Sequence, residues 1–239
     1  MKKITSIIAL ATFATAAFAQ DTTNLKFVGV GKGRSDITIN YDGNRANVFA
    51  GELKHLASGG VGSLKWLDGQ TISTFCSEPA QYVSRQGTGY TQVDIPQLDP
   101  NAWKINGDAK RAAVNNLFRY GFNSVTGAGA DSSRAAAFQI AVWKIGYDFD
   151  GSVDSLNLGT GRFRAGMKNG GSLDAQIQVN LNDLLNGATA VGPERKGVTR
   201  VIAFHSDCNQ DQITAVPEPA TLAAIGIGLA GIMRRRKKA

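Results

Sequence analysis

From Asn24 to about Ser84, apolar and polar positions alternate, as in Leu25-Lys26-Phe27-Val28-Gly29-Val30 and Asp36-Ile37-Thr38-Ile39-Asn40-Tyr41. Alternation rich in β-branched and aromatic residues predicts strands, because successive side chains of a strand point to opposite faces. Tyr41-Asp42-Gly43-Asn44 carries an Asp-Gly turn signal and predicts a hairpin into Ala46 to Leu56. Gly59-Gly60-Val61-Gly62 and Leu67-Asp68-Gly69 break the chain before a further strand, Thr71 to Cys76. Gly29-Val30-Gly31-Lys32-Gly33 has the look of a phosphate loop but lacks its spacing and strand-to-helix setting, so it reads as a strand ending in a turn.

The period then lengthens. Between Asp108 and Gly121, Ala109, Ala113, Leu117 and Tyr120 share one helical face that Ala112 and Phe118 extend. After a loop containing Gly127, Gly129 and Ala130, Asp131 or Ser132 is placed to cap a second helix through Ala135, Phe138, Ala141, Val142 and Ile145 toward Gly146. A weaker helical pattern covers Leu173 to Asn186, and Gly197 to Phe204 reads as a closing strand. Strands on both sides of a helical segment predict an α+β domain, an antiparallel β-sandwich or clam-like pair of sheets with a two-helix insertion. At 239 residues the chain has room for one such domain with a sizeable core.

The two ends follow different patterns. Met1-Lys2-Lys3, an apolar run from Ile4 to Phe13 and the small residues closing at Ala17-Phe18-Ala19 form a secretory signal peptide, with the mature protein expected to start at Gln20. The C-terminus carries Val216-Pro217-Glu218-Pro219, an apolar run from Ala220 to Met233 and the basic cluster Arg234 to Lys238. Such a run stops in a bilayer with its basic end left in the cytoplasm, but it is short for a spanning helix and holds Gly226, Gly228 and Gly231, which suits a temporary anchor. The expected organisation is a signal peptide at 1–19, an exported domain at 20–206, a linker at 207–215 and a sorting signal with a single apolar helix at 216–239.

The three-part tail resembles the PEP-CTERM sorting signal of Gram-negative bacteria. The resemblance implies recognition of Val216, Pro217, Glu218 and Pro219 by an exosortase, transient residence in the inner membrane, and delivery to the cell surface or extracellular matrix, often alongside exopolysaccharide. Signal peptidase is the other partner expected during export.

Charge changes little once it is located. The formal net charge is +7, with 26 Lys and Arg against 19 Asp and Glu. Lys2, Lys3 and the five basic residues from Arg234 to Lys238 account for that excess, so the body is balanced at 19 against 19. With no basic stripe interleaved with aromatics, no nucleic-acid partner is expected.

Few residues can carry chemistry. A hydrolase built on Cys76 needs a histidine to take its proton, and His55 and His205 are the two in the sequence. His55, in Leu53-Lys54-His55-Leu56, reads as a solvent-facing strand position and His205 as an ordinary surface residue, so no enzymatic activity is expected. No paired ligand spacing supports zinc, and Asp148, Asp150 and Asp154 lack the closing bidentate glutamate of a calcium loop. Tyr147 to Gly151 therefore reads as a turn, and neither metal nor cofactor is expected. Exposed aromatics such as Trp66, Tyr90 and Trp103 would suit reversible carbohydrate binding by a matrix module, while Trp143 belongs to a helix core.

Two cysteines in an exported protein invite a Cys76–Cys208 disulfide. A different reading starts from Gln139, an amide set within the apolar helix beside Ala135 and Val142, where a buried side chain needs a partner. Phe75-Cys76 on a strand, followed downstream by Phe138-Gln139-Ile140-Ala141-Val142-Trp143 on a helix, resembles the bacterial thioester domains of surface adhesins. Tyr120-Gly121 fits the same pattern, which covers roughly residues 43–150; Ser77 before Glu78 and the additional Cys208 depart from it. The resemblance implies a γ-glutamyl thioester between Cys76 and Gln139 that an amine or hydroxyl on a target surface could open. On the residues alone Cys76 is a thioester partner, a disulfide partner of Cys208 or a free thiol.

Overall fold

The structure is a computed structural model that describes residues 20–190 and 199–217. The signal peptide expected at 1–19 and the apolar and basic parts of the tail lie outside the described residues. Within them, no helix is long and apolar enough to cross a membrane.

The domain opens with two long antiparallel strands, β1 (Thr22–Tyr41) and β2 (Asn44–Ser58). Asp42 and Gly43 join them with φ of 48° and 82°, the left-handed pair that an Asp-Gly turn supplies at low cost. The Gly29–Gly33 segment is not a strand end, as expected, but the interior of β1. Register shifts fall between Phe27 and Gly29, Val30 and Gly33, and Arg34 and Ile37, where small residues let a long strand bulge and bend without stopping. β3 (Thr71–Cys76) follows, then β4 (Thr88–Val93), α1 (Pro100–Trp103), α2 (Gly107–Val125) and α3 (Ser132–Asp148). β5 (Phe163–Met167), α4 (Ala175–Thr189), β6 (Thr199–His205) and β7 (Gln212–Pro217) complete the order.

Among the described residues all strand pairings are antiparallel, and together they form an α+β fold on a seven-stranded sheet. The bending of β1 gives the sheet its form. One edge of β1 pairs with β2, while the other pairs with β4 through Thr22–Leu25 and with β5 through Ile37–Tyr41. From β2 the pairing runs through β3, β7, β6 and β4 back to β1, so six strands close on themselves and cover edges that would otherwise be free. β5 extends the far end of β1 outside this ring.

The helical segment starts as the sequence predicts, with Asp131 accepting from the Arg134 N–H at the head of α3 and Asp174 accepting from the Ile177 N–H at the head of α4. The weaker helical pattern over Leu173 to Asn186 is realised as α4, and β5 returns to the sheet between α3 and α4. Every residue of α3 from Ala135 to Tyr147 is buried, since α2 and α4 cover one side and β1, β2, β3 and β5 the other. Phe75, Phe118, Phe122 and Phe138 knit the sheet to α2 and α3, with the Phe75 and Phe138 centroids 4.5 Å apart. A Cβ on Gly146 would lie 2.6 Å from the Trp103 ring, so glycine there lets α1 pack against α3.

Closure of the sheet corrects several expectations. The 207–215 stretch is not a linker, because β7 lies between β3 and β6 with Asp211, Gln212, Ile213, Thr214 and Ala215 buried. Trp103 and Tyr90 are not exposed platforms for carbohydrate; both are buried, donating to Ser77 O at 3.2 Å and to Gln210 O at 3.2 Å. Tyr147 belongs to the last turn of α3 rather than to a turn at 147–151.

His55 is a further correction. Around it β2 alternates, with Leu53, His55 and Ala57 on the buried face and Lys54 and Leu56 partly exposed, so His55 points to the core and not to solvent, fully buried against Phe27. Its Nδ1 lies 2.9 Å from Thr74 Oγ1, which itself donates to Gln212 Oε1, so Nδ1 carries the proton and Nε2 is left with no partner among the described residues. Burial lowers its pKa to about 4 from an ordinary 6.5. The folded state thus holds a neutral His55 while the unfolded chain takes up a proton below pH 6.5. The contribution to stability is complete above pH 6.5 and is lost as pH falls to about 4, roughly 3 kcal/mol at about 1.4 kcal/mol per unit. Glu78, raised to about 7 by burial and by Asp211 and Asp99, acts with the opposite sign, so the informative measurement is wild type against His55→Gln at each pH. Urea unfolding between pH 7 and 4 should show the wild type losing that increment relative to the variant; parallel curves would refute the assignment.

Candidate functional site

Cys76 is the last residue of β3, held in register against Gln212 of β7, with the Ser77 N–H donating to Asp211 O at 3.0 Å immediately after it. Phe75 enters the aromatic cluster and pulls the strand end onto α3. In the middle of α3, Gln139 is 1% exposed and faces that strand end.

The two residues meet through a reciprocal pair of hydrogen bonds. The Cys76 N–H donates to Gln139 Oε1 at 2.9 Å, and Gln139 Nε2 donates to Cys76 O at 2.7 Å. A side-chain amide thus continues the β ladder at the point where β3 ends, which accounts for a buried glutamine in an otherwise apolar helix. Trp143 lies one helical turn beyond Gln139 and so on the same face, and its indole Nε1–H points to Cys76 Sγ at 3.4 Å.

The electrostatics of the site are those of a dry pocket. Burial pushes the Cys76 thiol far above its ordinary value, with the Trp143 and Glu78 donors acting against that shift. Burial likewise raises the Tyr90 and Tyr147 phenols. Asp211 is raised by burial against the pull of His205 and of the Ser206 and Asp99 N–H groups. His205 is shifted up because Asp211, at 3.0 Å, and Asp207 outweigh the burial that would lower it. Both ring nitrogens of that histidine are engaged by carboxylates, Nδ1 by Asp211 and Nε2 by Asp207.

The donors around Cys76 and Gln139 would suit acyl chemistry at one carbonyl. The Cys76 N–H sits where negative charge would build on Gln139 Oε1 in a tetrahedral intermediate, and the Trp143 indole N–H sits where charge would build on sulfur. Trp143 is the residue that a core assignment misses; the four-residue spacing from Gln139 is the signal that could have placed it in the site.

The remaining candidates are not brought here. Cys208 is exposed in the turn between β6 and β7, and neither it nor Cys76 is in a disulfide. Asp148 is engaged by Lys144 Nζ at 2.6 Å and by the N–H groups of Arg162 and Phe163, while Asp150 accepts from the Ser152 N–H. Trp66 is partly exposed beside Leu64 and Leu67, in the short 3-10 helix after β2.

Comparison with known proteins finds a match to a family model described as the PEP-CTERM protein-sorting motif, over residues 215–237. No curated protein matches. Among solved structures the protein is similar to the N-terminal domain of the Streptococcus pyogenes pilus tip adhesin Cpa, at 13% identity and a TM-score of 0.43, over 81% of this sequence and 99% of that one. The sorting motif marks it as an exported protein handled by exosortase, with a cell-surface or extracellular destination in a Gram-negative bacterium.

Proposed function

We propose that Cys76 and Gln139 form an internal γ-glutamyl thioester, and that the exported domain is a surface adhesin that uses it to attach covalently to a nucleophile on its target. The observation that carries this reading is the pair of hydrogen bonds at 2.9 and 2.7 Å that seats the Gln139 amide on the Cys76 backbone beneath the Trp143 indole. Cys76 Sγ attacks Gln139 Cδ, the C–N bond breaks, and the thiol proton leaves with the amide nitrogen as ammonia.

The amide is a poor acyl donor and the thioester a good one, because sulfur donates weakly into the carbonyl and leaves readily as thiolate. The same burial that disfavours a free thiolate keeps water from the bond, so the acyl group survives until an amine or hydroxyl reaches it. On opening, the nucleophile takes Cδ, its proton passes to sulfur, and one bond is made per molecule without turnover. Delivery to the cell surface by the sorting tail puts that acyl donor where a target surface, or matrix exopolysaccharide offering hydroxyls, can meet it.

The intact mass of the non-reduced exported domain tests the bond. A deficit of one ammonia supports it; an unmodified mass, or a loss of two hydrogens from a Cys76–Cys208 disulfide, refutes it. Trp143 has its own test. Trp143→Phe keeps an aromatic ring, though a smaller one, and removes the donor, and should slow opening by methylamine roughly 10-fold, the order of effect expected for one weak hydrogen bond to the leaving group. An unchanged rate in a folded variant would return Trp143 to a packing role.

A further inference from the structure

The sheet ends at β5, whose outer edge is capped at both ends and open in the middle. The bonds from the Asp42 N–H to Arg162 O at 3.1 Å and from the Lys168 N–H to Asp36 O at 2.8 Å turn the backbone groups of Arg164 and Gly166 toward β1. By alternation those of Phe163, Ala165 and Met167 point away from β1. Phe163 is capped by a buried ion pair, its N–H donating to Asp148 Oδ2 at 3.0 Å and its C=O accepting from Lys144 Nζ at 3.3 Å. Met167 is capped by the turn after it, donating to Gly171 O and accepting from the Gly170 N–H, both at 2.9 Å. Between them, the Ala165 N–H and C=O have no partner among the described residues. Ala165 lies in a groove of about 970 Å³ between β5, α4 and the 153–160 segment. α4 brings three amides to it, Gln178, Asn182 and Asn186, four residues and so roughly 6 Å apart along the helix. Asn157, Thr160 and Ser172 add an amide and two hydroxyls, and Leu181 and Leu185 add apolar surface. Among the described residues that line the groove there is no cation, and Asp154 is the one charged side chain.

We propose that this groove binds a neutral, hydroxyl-rich glycan chain, seated on the open backbone of Ala165 and running along the amide ladder of α4. The caps exclude a peptide added as a further strand, because such a strand needs a run of open residues and β5 offers one. The lining disfavours an anionic chain, which would meet Asp154 and no cation. A sugar meets both conditions. Each of its hydroxyls both donates and accepts, so one hydroxyl takes the Ala165 N–H while its neighbour on the ring gives its proton to the Ala165 C=O. Side-chain amides, which also offer a donor and an acceptor each, take the hydroxyls of the next units, and the C–H faces of the rings lie on Leu181 and Leu185. The inference stands apart from the thioester and survives its failure.

The test is an NMR titration of the 15N-labelled exported protein with cellohexaose, maltohexaose and laminarihexaose, set beside hexagalacturonate and a Gly-Ser hexapeptide. At least one of the neutral sugars should move the Ala165 backbone amide and the Asn182 and Asn186 side-chain signals, and saturate them below about 10 mM. No shift with any neutral sugar overturns the proposal, and so does tighter binding of hexagalacturonate or of the peptide. Two variants tie binding to the groove, both read on the Asn186 side chain. Ala165→Pro removes the outward N–H and no bond to β1, at an edge position where proline is tolerated. Asn182→Leu removes one rung of the ladder at an exposed position of α4. Each should weaken the sugar roughly 10-fold, and unchanged affinity in both folded variants would place the binding elsewhere and refute the assignment.

Discussion

Methylamine added to the folded exported domain should attach to Gln139 and release one titratable thiol on Cys76, and both events should vanish in Cys76→Ala and in Gln139→Ala. The expectation is all or none, because the acyl carbon belongs to one residue and the leaving sulfur to the other. Cys208→Ala should leave labelling unchanged, since that thiol is exposed in the β6–β7 turn and takes no part in the bond. Peptide mapping by mass spectrometry reads all four proteins; uptake at another residue, or none at all in the wild type, would remove the thioester and leave an exported, exosortase-sorted protein. Stability should follow chemistry. The bond closes a loop of 63 residues, for which backbone entropy suggests about 4 kcal/mol, so Cys76→Ala should melt roughly 10 °C lower while remaining folded. Gln139→Ala should fall somewhat further, because it also strips the Cys76 N–H and C=O of buried partners.

Asp148→Ala should be strongly destabilising, costing about 3–5 kcal/mol. Lys144 is a lysine with a fully buried side chain in the middle of an apolar helix, and its Nζ is held by Asp148 Oδ2 at 2.6 Å, Thr160 O at 2.8 Å and Phe163 O at 3.3 Å. Burial lowers its pKa, and the Asp148 partner opposes that shift. Without Asp148 the ammonium would be left without its counter-charge, and the N–H groups of Arg162 and Phe163 that fasten the start of β5 would lose their acceptor. Denaturant titration of Asp148→Ala against Lys144→Met/Asp148→Leu gives the discriminating comparison. The double variant removes both charges and should recover much of the loss; equal destabilisation of both proteins would mean that packing, and not the uncompensated charge, sets the effect.

Much of the local structure was legible because its signals are local. The Asp42-Gly43 turn, the end of β3 at Cys76 and the capping role of Asp131 each depend on a few consecutive residues whose conformational preferences decide the outcome. β4, β5 and β7 were not legible in the same way. Each is 5 or 6 residues long, and becomes a strand because a long, bent β1 and the strands around it present free backbone partners. His55 shows the same limit at the level of one side chain. Alternation tells which residues share a face, here Leu53, His55 and Ala57, but not which face turns to the core.

The sequence by itself determined the C-terminal sorting motif and the α+β order of strands around helices, and it singled out Gln139 as an amide in an apolar helix, while the pairing of Gln139 with Cys76 rested on a resemblance. These follow from composition, period and short motifs, all of which act over a turn or two of backbone. Only the tertiary structure decided that 63 residues of separation close to hydrogen-bond distance, that Trp143 turns its N–H to the sulfur, and that the strand leading into the sorting motif is locked inside the sheet. Such facts depend on which distant backbone satisfies which buried polar group, and that pairing is settled by the closure of the whole sheet around α3 rather than by any stretch of sequence.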